Sequence, residues 1–163
     1  AYANTYYDES VHSALNDKHI SIYSRTNLLG QWTDMASYNG TNAATDISPR
    51  FFSSGERCLA RNSNVSGSNY LNTSSLGFFL NNRIDAGSVR ARQNATLQVI
   101  ASPSVTLVNV PYYIGANNLN GTAGSFSIRN LAFASIGRGF SDAESLIVYN
   151  AVQTLQTALS RQV

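Results

Sequence analysis

The end of the chain combines a strand pattern with a helix pattern, and this pair restricts the possible folds more than any other feature. From Phe126 to Ile136, apolar and polar residues alternate until both faces become apolar, which is typical of a strand entering a sandwich core. Ser141-Asp142-Ala143-Glu144 then has the form of a capping box, in which the Ser141 hydroxyl accepts a hydrogen bond from the Glu144 amide. The sequence therefore predicts a strand followed by an amphipathic helix over about residues 141–160.

The predicted helix carries one apolar stripe that needs a surface to cover it. Apolar residues recur at intervals of three, four and seven, at Ile147, Val148, Ala151, Val152, Leu155, Ala158 and Leu159. A helix with such a stripe normally packs against another element. We therefore expect the stripe, including Leu155, to lie on a sheet.

Upstream of this helix the chain has the pattern of many short strands. His19 to Thr26 alternates cleanly, and Asn39-Gly40 is a strong signal for a two-residue hairpin. Pro49 indicates an edge strand or a bulge, and Asn94-Ala95 indicates a turn. The polar segment from Ser63 to Ser75 is interpreted as a loop. Seven or more strands at roughly ten-residue spacing favour a β-sandwich or jelly roll.

Composition indicates one β-rich domain and excludes several kinds of partner. At 163 residues with 43% hydrophobic content, the chain can build one core, and we predict a single domain over residues 1–163. Charged residues make up only 12% and the arginines do not cluster, so nucleic acid is not an expected partner. No segment has the apolar length of a membrane span, so membrane insertion is not expected either.

Two further expectations concern the cysteine and the start of the chain. The single cysteine, Cys58, has no second thiol to pair with, and it is predicted to be a small buried hydrophobe. The strand-like alternation that begins at Ala1 suggests a mature product or the C-terminal part of a longer protein.

Several segments of the chain resemble one known family. They are His19 to Asn27, Leu76 to Arg83, Tyr113 to Asn118 with Asn120-Gly121-Thr122, and Ala132-Phe133-Ala134-Ser135-Ile136-Gly137-Arg138-Gly139-Phe140-Ser141-Asp142-Ala143-Glu144. In these segments the chain resembles the laminin-G-like, concanavalin A-like domains of bacteriophage tail-fibre and other virion structural proteins, especially of phages of Bacteroidetes. The resemblance implies a jelly-roll sandwich of two antiparallel sheets with one C-terminal helix. It also implies a place on the virion surface or outside the cell, and recognition of host-surface glycans.

The concanavalin A-like class includes glycoside hydrolases, so catalysis has to be considered. Such enzymes need two carboxylates about 5 to 9 Å apart across the sugar. No strand carries alternating carboxylates, and Asp8 and Glu9 are adjacent, so that in a strand they point to opposite faces. His12 and His19 do not form a nucleophile arrangement with a serine and an acid. We predict that the protein is not an enzyme and uses no cofactor.

A metal site is not predicted. Some laminin-G-like domains bind calcium on a rim, and Asp34 or Asp46 could contribute to such a site. Ca²⁺ needs six to eight oxygen ligands, however, and no loop supplies an acidic cluster. Solvated loop acids are the favoured interpretation of both residues.

The ligand-binding residues that the sequence favours combine aromatic rings with amides: Trp32, Tyr70, Asn117, Asn118 and Asn120. This combination suits a sugar, because a ring stacks on the sugar face while an amide pairs with its hydroxyls. Tyr70 lies in the predicted loop from Asn62 to Thr73, and the asparagines lie in the predicted loop from Asn117 to Gly124. The alternatives stay open, since Trp32 can be packed at a strand start and asparagine suits turns. The sheet face that carries Tyr23 and Arg25 is the next candidate location.

Two functions follow from these patterns. The first is a non-enzymatic phage virion surface protein, in a tail fibre, a receptor-binding protein or a decoration, that recognises host-surface glycans. The alternative is a secreted or cell-surface bacterial carbohydrate-binding module or adhesin. Because the strand pattern begins with the first residues, we also expect the open sheet edge to be covered by a second copy, by other virion proteins or by an upstream segment.

Overall fold

The computed structural model describes residues 1–8, 13–40, 43–52, 55–64 and 68–163. Glu9, His12 and part of the predicted loop from Ser63 to Ser75 lie outside these residues. Within them the chain forms thirteen strands and one helix. The strands are β1 Ala3–Asp8, β2 Lys18–Ser24, β3 Met35–Tyr38, β4 Ala44–Phe52, β5 Glu56–Asn64, β6 Asn69–Leu71, β7 Gly77–Arg83, β8 Ser88–Gln93, β9 Thr96–Ala101, β10 Pro111–Ile114, β11 Asn117–Leu119, β12 Thr122–Gly124 and β13 Leu131–Gly137, and the helix is α1 Asp142–Ala158.

The strands form two sheets. The eight-stranded sheet has the order β1-β10-β3-β4-β5-β6, with β11 beside β3 and β12 beside β11, and the five-stranded sheet has the order β13-β2-β7-β8-β9. Neighbouring strands are antiparallel, apart from one parallel pairing of Leu119 in β11 with Tyr38 in β3. This confirms the predicted class, an all-β sandwich of two antiparallel sheets with a C-terminal helix.

Apolar side chains from both sheets fill the space between them. The buried members of this core are Ile20, Ile22 and Phe79 from the five-stranded sheet and Met35, Ile47, Cys58 and Tyr112 from the eight-stranded sheet. The prediction for Cys58 is confirmed, because its thiol is buried and burial raises its pKa to about 12. The core therefore lies between the sheets, as in other sandwiches.

Helix α1 covers the outer face of the five-stranded sheet. Val152 packs against Tyr23, Phe78 and Leu80, which are all buried. The predicted capping box is present, since the Ser141 hydroxyl accepts from the Glu144 amide at 3.2 Å. The face that carries Tyr23 is therefore closed by the helix, and our expectation that it is a candidate binding face is wrong.

The helix is rotated relative to the predicted stripe. Its buried residues are Ser145, Val152 and Gln156, whereas Leu155 is 44% exposed. Arg92 explains this rotation, because its buried guanidinium donates to the Ser145 hydroxyl at 3.0 Å and to the Asp142 carbonyl at 3.1 Å. A polar anchor therefore selects the contact face, and the expected burial of Leu155 is wrong.

Three turn predictions have different outcomes. Asn94-Ala95 is the two-residue connection between β8 and β9, as predicted. A register shift between Ser48 and Phe51 confirms a bulge at Pro49, although β4 lies between β3 and β5 and is not an edge strand. Asn39-Gly40 is part of a longer connection, because β3 ends at Tyr38 and β4 begins only at Ala44.

The described part of the polar segment from Ser63 to Ser75 is not an exposed loop. It contributes the end of β5 and all of β6, and five of its polar residues are buried: Ser63, Asn64, Ser68, Asn72 and Ser75. These side chains bond to one another and to their surroundings, as when Asn64 donates to Ser68 at 2.9 Å and Ser68 donates to Ser102 at 2.7 Å. A buried polar group is tolerated when it is hydrogen-bonded, and this explains why the segment can enter the interior.

A second polar site lies around the buried Lys18 in β2. Its ammonium group donates to the hydroxyls of Thr45, at 3.3 Å, and Ser63. Burial, together with the nearby charge of Arg83, lowers the pKa of Lys18 from 10.5 to about 6. In the folded protein this lysine is therefore neutral at physiological pH.

In the part of the chain that the structure covers, no helix is both long and apolar enough to cross a bilayer.

Replacing Gln156 by Met is expected to stabilise the protein. Gln156 is fully buried, and neither polar atom of its amide has a hydrogen-bond partner among the described residues. Removing an unsatisfied buried amide while keeping the side-chain size should raise the free energy of unfolding by about 1 to 3 kcal/mol. Urea denaturation measures this change, and Gln98→Met on the exposed face of β9 is the matched control. A Gln156→Met variant no more stable than the control would contradict the prediction.

The buried Lys18 should make stability depend on pH. Its pKa is about 6 in the folded state and 10.5 in the unfolded state, so unfolding takes up a proton between these values. The free energy of unfolding should therefore rise with pH, by up to about 1.4 kcal/mol per pH unit between roughly pH 7 and pH 9. His19, whose pKa burial also lowers, acts below this window, and Cys58 opposes the trend above it. The slope should disappear in Lys18→Met, and a slope that persists in that variant would show that another group causes it.

Candidate functional site

A pocket of about 380 Å³ opens where the first residues of the chain meet the start of β13. Its lining is Ala1, Tyr2, Ala3, Ile114, Gly115, Ser127, Arg129 and Leu131. The strands β1 and β13 stand at the ends of the described eight- and five-stranded sheets, so the pocket lies at the seam between the two layers. We call it the seam pocket.

Tyr2, the one aromatic residue of the described lining, belongs to a group of three aromatic rings. The ring centre of Tyr2 lies 4.9 Å from that of Tyr113 and 5.8 Å from that of Phe126. Tyr2 is 44% exposed and Phe126 is 48% exposed, so both rings present surface to solvent. We call Tyr2, Tyr113 and Phe126 the aromatic cluster.

The segment before β13 explains how these groups reach the pocket. The predicted strand from Phe126 begins only at Leu131, and residues 126–130 form an extended connection instead. Along it Phe126 and Ile128 are exposed, whereas Ser127 and Arg129 turn inward. The Ser127 amide donates to the Gly115 carbonyl at 2.9 Å, which fixes the segment beside β10.

A buried ion pair lies behind the pocket. The guanidinium of Arg129 contacts the Asp34 carboxylate at 2.9 Å, and both side chains are fully buried. Arg129 also donates to the carbonyls of Leu28, at 2.8 and 3.2 Å, and Arg50, at 2.8 Å. The Ser127 hydroxyl donates to Asp34 as well. Burial raises the pKa of Asp34, although Arg129 and Ser127 oppose that rise.

Trp32 lies close to this ion pair but does not line the pocket. The Arg129 guanidinium stands 5.5 Å from the centre of the Trp32 ring, within the range of a cation–π contact. The ring also covers Gly30, where an added Cβ would lie 2.5 Å from it. Trp32 therefore packs against its surroundings, as in the alternative to a binding role that the sequence left open.

The three predicted asparagines lie in the β11–β12 hairpin. Asn118 is fully buried; its amide donates to the Pro111 carbonyl at 2.6 Å and accepts from the Gly121 amide at 2.7 Å. Asn120 and Gly121 both have positive φ, +48° and +93°, and form the two-residue turn between β11 and β12. Asn117 pairs with Gly124 across the hairpin. The Tyr113 hydroxyl donates to the Gly121 carbonyl at 3.1 Å, so the hairpin adjoins the aromatic cluster.

Tyr70 is separate from the other predicted residues. It lies in β6, at the opposite end of the eight-stranded sheet from β1. Its ring packs against the core, and burial beside Cys58 raises the pKa of its hydroxyl well above its usual value. Its predicted place in an exposed loop is wrong, because Tyr70 itself lies in strand β6 and packs against the core. The binding roles of Trp32, Tyr70, Asn117, Asn118 and Asn120 stay predictions.

Sequence analysis missed the residues that form the seam pocket. Phe126 was expected in the core, and Tyr2, Tyr113 and Arg129 were not selected at all. A local signal exists, since Phe126 and Ile128 alternate with Ser127 and Arg129, and an arginine on the inner side of such a segment needs a buried partner. The partner, Asp34, is distant in sequence and could be identified only from the structure.

The described carboxylates are engaged in structural contacts. Asp46 bonds to Arg61, Glu56 to Arg50, Asp85 to Ser88 and Arg90, Asp142 to Arg90, Glu144 to Ser141, Asp17 to the Gly139 amide, and Asp34 to Arg129; Asp8 also has an interaction. Asp34 and Asp46, considered above as calcium ligands, are therefore paired with arginines. No group of three metal-ligating side chains occurs among the described residues.

Breaking the Asp34–Arg129 pair should destabilise the fold more than replacing both residues. Removing one member leaves the other charge buried without a partner, which costs about 3 to 5 kcal/mol. In Asp34→Leu/Arg129→Met neither charge is present, so the loss should be smaller than the sum of the single losses. A double-mutant cycle by chemical denaturation measures this difference, with the exposed Arg138→Met as a control that changes stability little. Additive losses would contradict the prediction.

Comparison with known proteins gives evidence on the fold. No family model matches the chain, and no curated protein matches it. Among solved structures the chain is similar to domain 4 of AbnA, a GH43 extracellular arabinanase from Geobacillus stearothermophilus, determined in complex with arabinotriose. The TM-score is 0.54 at 12% identity, and the match covers 82% of this chain and 66% of that chain, just under two thirds. At this identity the likeness shows a shared β-sandwich fold.

Proposed function

We propose that this protein is a non-enzymatic glycan-binding β-sandwich that holds a saccharide at the seam pocket. The observation that carries the proposal is the aromatic cluster, which reaches the pocket through Tyr2 and in which Tyr2 and Phe126 remain about half exposed. Exposed large rings grouped around a concavity are typical of binding sites, since a folding core would bury them.

The chemistry of the site suits a sugar. The rings offer flat apolar faces for the C–H side of a sugar ring. Asn130, which lies in the chain between the lining residues Arg129 and Leu131, is exposed, and its backbone is held by hydrogen bonds with Thr26 and Arg25 at 3.1 and 2.8 Å. An amide held in this way can pair with sugar hydroxyls. A volume of about 380 Å³ is near the lower end of the usual range for ligand pockets and favours a short saccharide.

The structural neighbour supports the same class of ligand. Domain 4 of the arabinanase was determined with arabinotriose, and it shares the sandwich fold with this chain. The activity of the whole arabinanase does not enter the proposal.

The absence of catalysis is part of the proposal. Hydrolysis of a glycosidic bond needs two carboxylates that flank the sugar. The pocket lining contains Ser127 and Arg129 but neither Asp nor Glu, and Asp34 behind it is paired with Arg129. Release of reducing ends from polysaccharide on incubation with the protein would contradict this part of the proposal.

The biological setting is proposed from the sequence resemblance alone. We propose display on a phage virion surface, as an oligomer or with other virion proteins; the alternative is a secreted or cell-surface bacterial module. Mass spectrometry of purified virions and of culture supernatants distinguishes them. Recovery only from uninfected bacterial culture would exclude the virion.

Changing the aromatic cluster should abolish binding without unfolding the protein. A glycan array identifies ligands, and isothermal titration calorimetry then compares Tyr2→Ala and Phe126→Ala with the native protein. We expect each change to weaken binding about tenfold or more, because stacking rings often dominate such sites. The matched control is Phe52→Ala, which removes a ring that is 57% exposed and belongs neither to the pocket lining nor to the aromatic cluster.

Three outcomes separate the candidate sites. Loss of binding in Phe126→Ala but not in Phe52→Ala, with unchanged melting temperatures, supports the seam pocket. Loss in Tyr70→Ala or Asn120→Ala alone would move the site to the residues that the sequence favours. Full binding in Tyr2→Ala/Phe126→Ala would exclude the seam pocket.

A further inference from the structure

We propose that the seam pocket selects neutral saccharides and discriminates against acidic ones such as uronates. This inference rests on the proposed function and specifies its ligand class. It is carried by the way the charges beneath the pocket are arranged.

The positive charge nearest the site is already neutralised. Arg129 lines the pocket, but its guanidinium lies 2.9 Å from the Asp34 carboxylate, and both side chains are fully buried. Its other observed hydrogen bonds go to the carbonyls of Leu28 and Arg50. The guanidinium is therefore oriented toward the protein, in contrast to the bidentate arrangement by which arginine recognises a ligand carboxylate.

The Ser127 side chain of the lining is also engaged. The Ser127 hydroxyl donates to Asp34 and accepts from the Arg129 amide at 3.1 Å. The other lining side chains, from Ala1 to Ala3 and at Ile114, Gly115 and Leu131, are uncharged. A saccharide carboxylate entering this pocket would lose hydration without gaining an opposite charge, which is unfavourable.

A neutral sugar does not meet this penalty. Its C–H face can contact Tyr2 and Phe126, while its hydroxyls stay near the solvent-exposed mouth of the pocket. The ion pair between Arg129 and Asp34 then shapes the pocket without attracting charge. The site discriminates because an acidic saccharide pays the cost of desolvating its carboxylate, whereas a neutral saccharide does not.

The test uses pairs of saccharides that differ only in charge. Titration calorimetry compares galactotriose with trigalacturonate, and a wider array of neutral oligosaccharides and their uronate counterparts is screened together with arabinotriose. The protein is acetylated at Ala1, so that an α-amino charge at that residue does not contribute. We expect the neutral member to bind about tenfold more tightly or better, which corresponds to about 1.4 kcal/mol. Its affinity should change little between about 0.01 M and about 1 M salt, where screening rises strongly.

A variant that adds a charge tests the mechanism directly. Ala3 is exposed and lines the pocket, so Ala3→Lys places a cation there, while Ala3→Gln is the neutral control of similar length. We expect the preference for the neutral member to shrink in Ala3→Lys and to persist in Ala3→Gln. A preference unchanged by Ala3→Lys would place the discrimination elsewhere and overturn the inference.

The outcomes also separate this inference from the proposed function. If uronates bind as tightly as neutral saccharides and Phe126→Ala abolishes both, the inference is wrong and the proposed function stands. If no member of any pair binds, or if binding is unaffected by Phe126→Ala, both are wrong.

Discussion

The buried pair of Asp34 and Arg129 is the interaction on which the architecture of the seam depends. Asp34 immediately precedes β3, and Arg129 lies two residues before the start of β13. The pair therefore joins the two sheets. Arg129 extends the connection to the Leu28 loop and to Arg50 in β4. Two charges without water are stable only when their geometry and their remaining hydrogen bonds are satisfied, and here both conditions are met. The buried ion pair therefore holds the segment that carries Phe126 in place.

The closing helix removes one alternative location for a binding site. In a two-sheet sandwich the outer face of either sheet could serve as a binding surface. Here α1 covers Tyr23, Phe78 and Leu80, and Arg92 anchors it through Ser145. With this outer face occupied, the seam offers a concavity bordered by partly exposed rings. The helix, which the sequence predicts most clearly, thus makes one sheet face unavailable to a ligand.

The sequence correctly predicted features that depend only on residues close together in the chain. The capping box at Ser141, the turn at Asn94 and the bulge at Pro49 follow from nearby residues, and all three are present. The rotation of α1 depends on Arg92, about fifty residues away in the chain, and so could not be read from the helix alone. The burial of polar residues around Ser68 could not be predicted for the same reason. The low hydropathy of this segment resembles that of a loop, and its partner Ser102 is known only from the structure. Site residues are the extreme case, because the seam pocket brings Ala1 to Ala3 together with residues between Ile114 and Leu131, more than a hundred positions away in the chain.

A small pocket without a free charge in its described lining would bind a saccharide only weakly. Stacking and a few hydroxyl contacts at one site of about 380 Å³ provide limited affinity, and the inward orientation of Arg129 removes the electrostatic attraction that could increase it. Firm attachment to a polysaccharide surface would then require several sites that act together. Linking such sites raises the effective concentration for each later contact without any new interaction. This requirement fits the expected display on an oligomer or on a virion, where many copies of one weak site face the same glycan-coated surface.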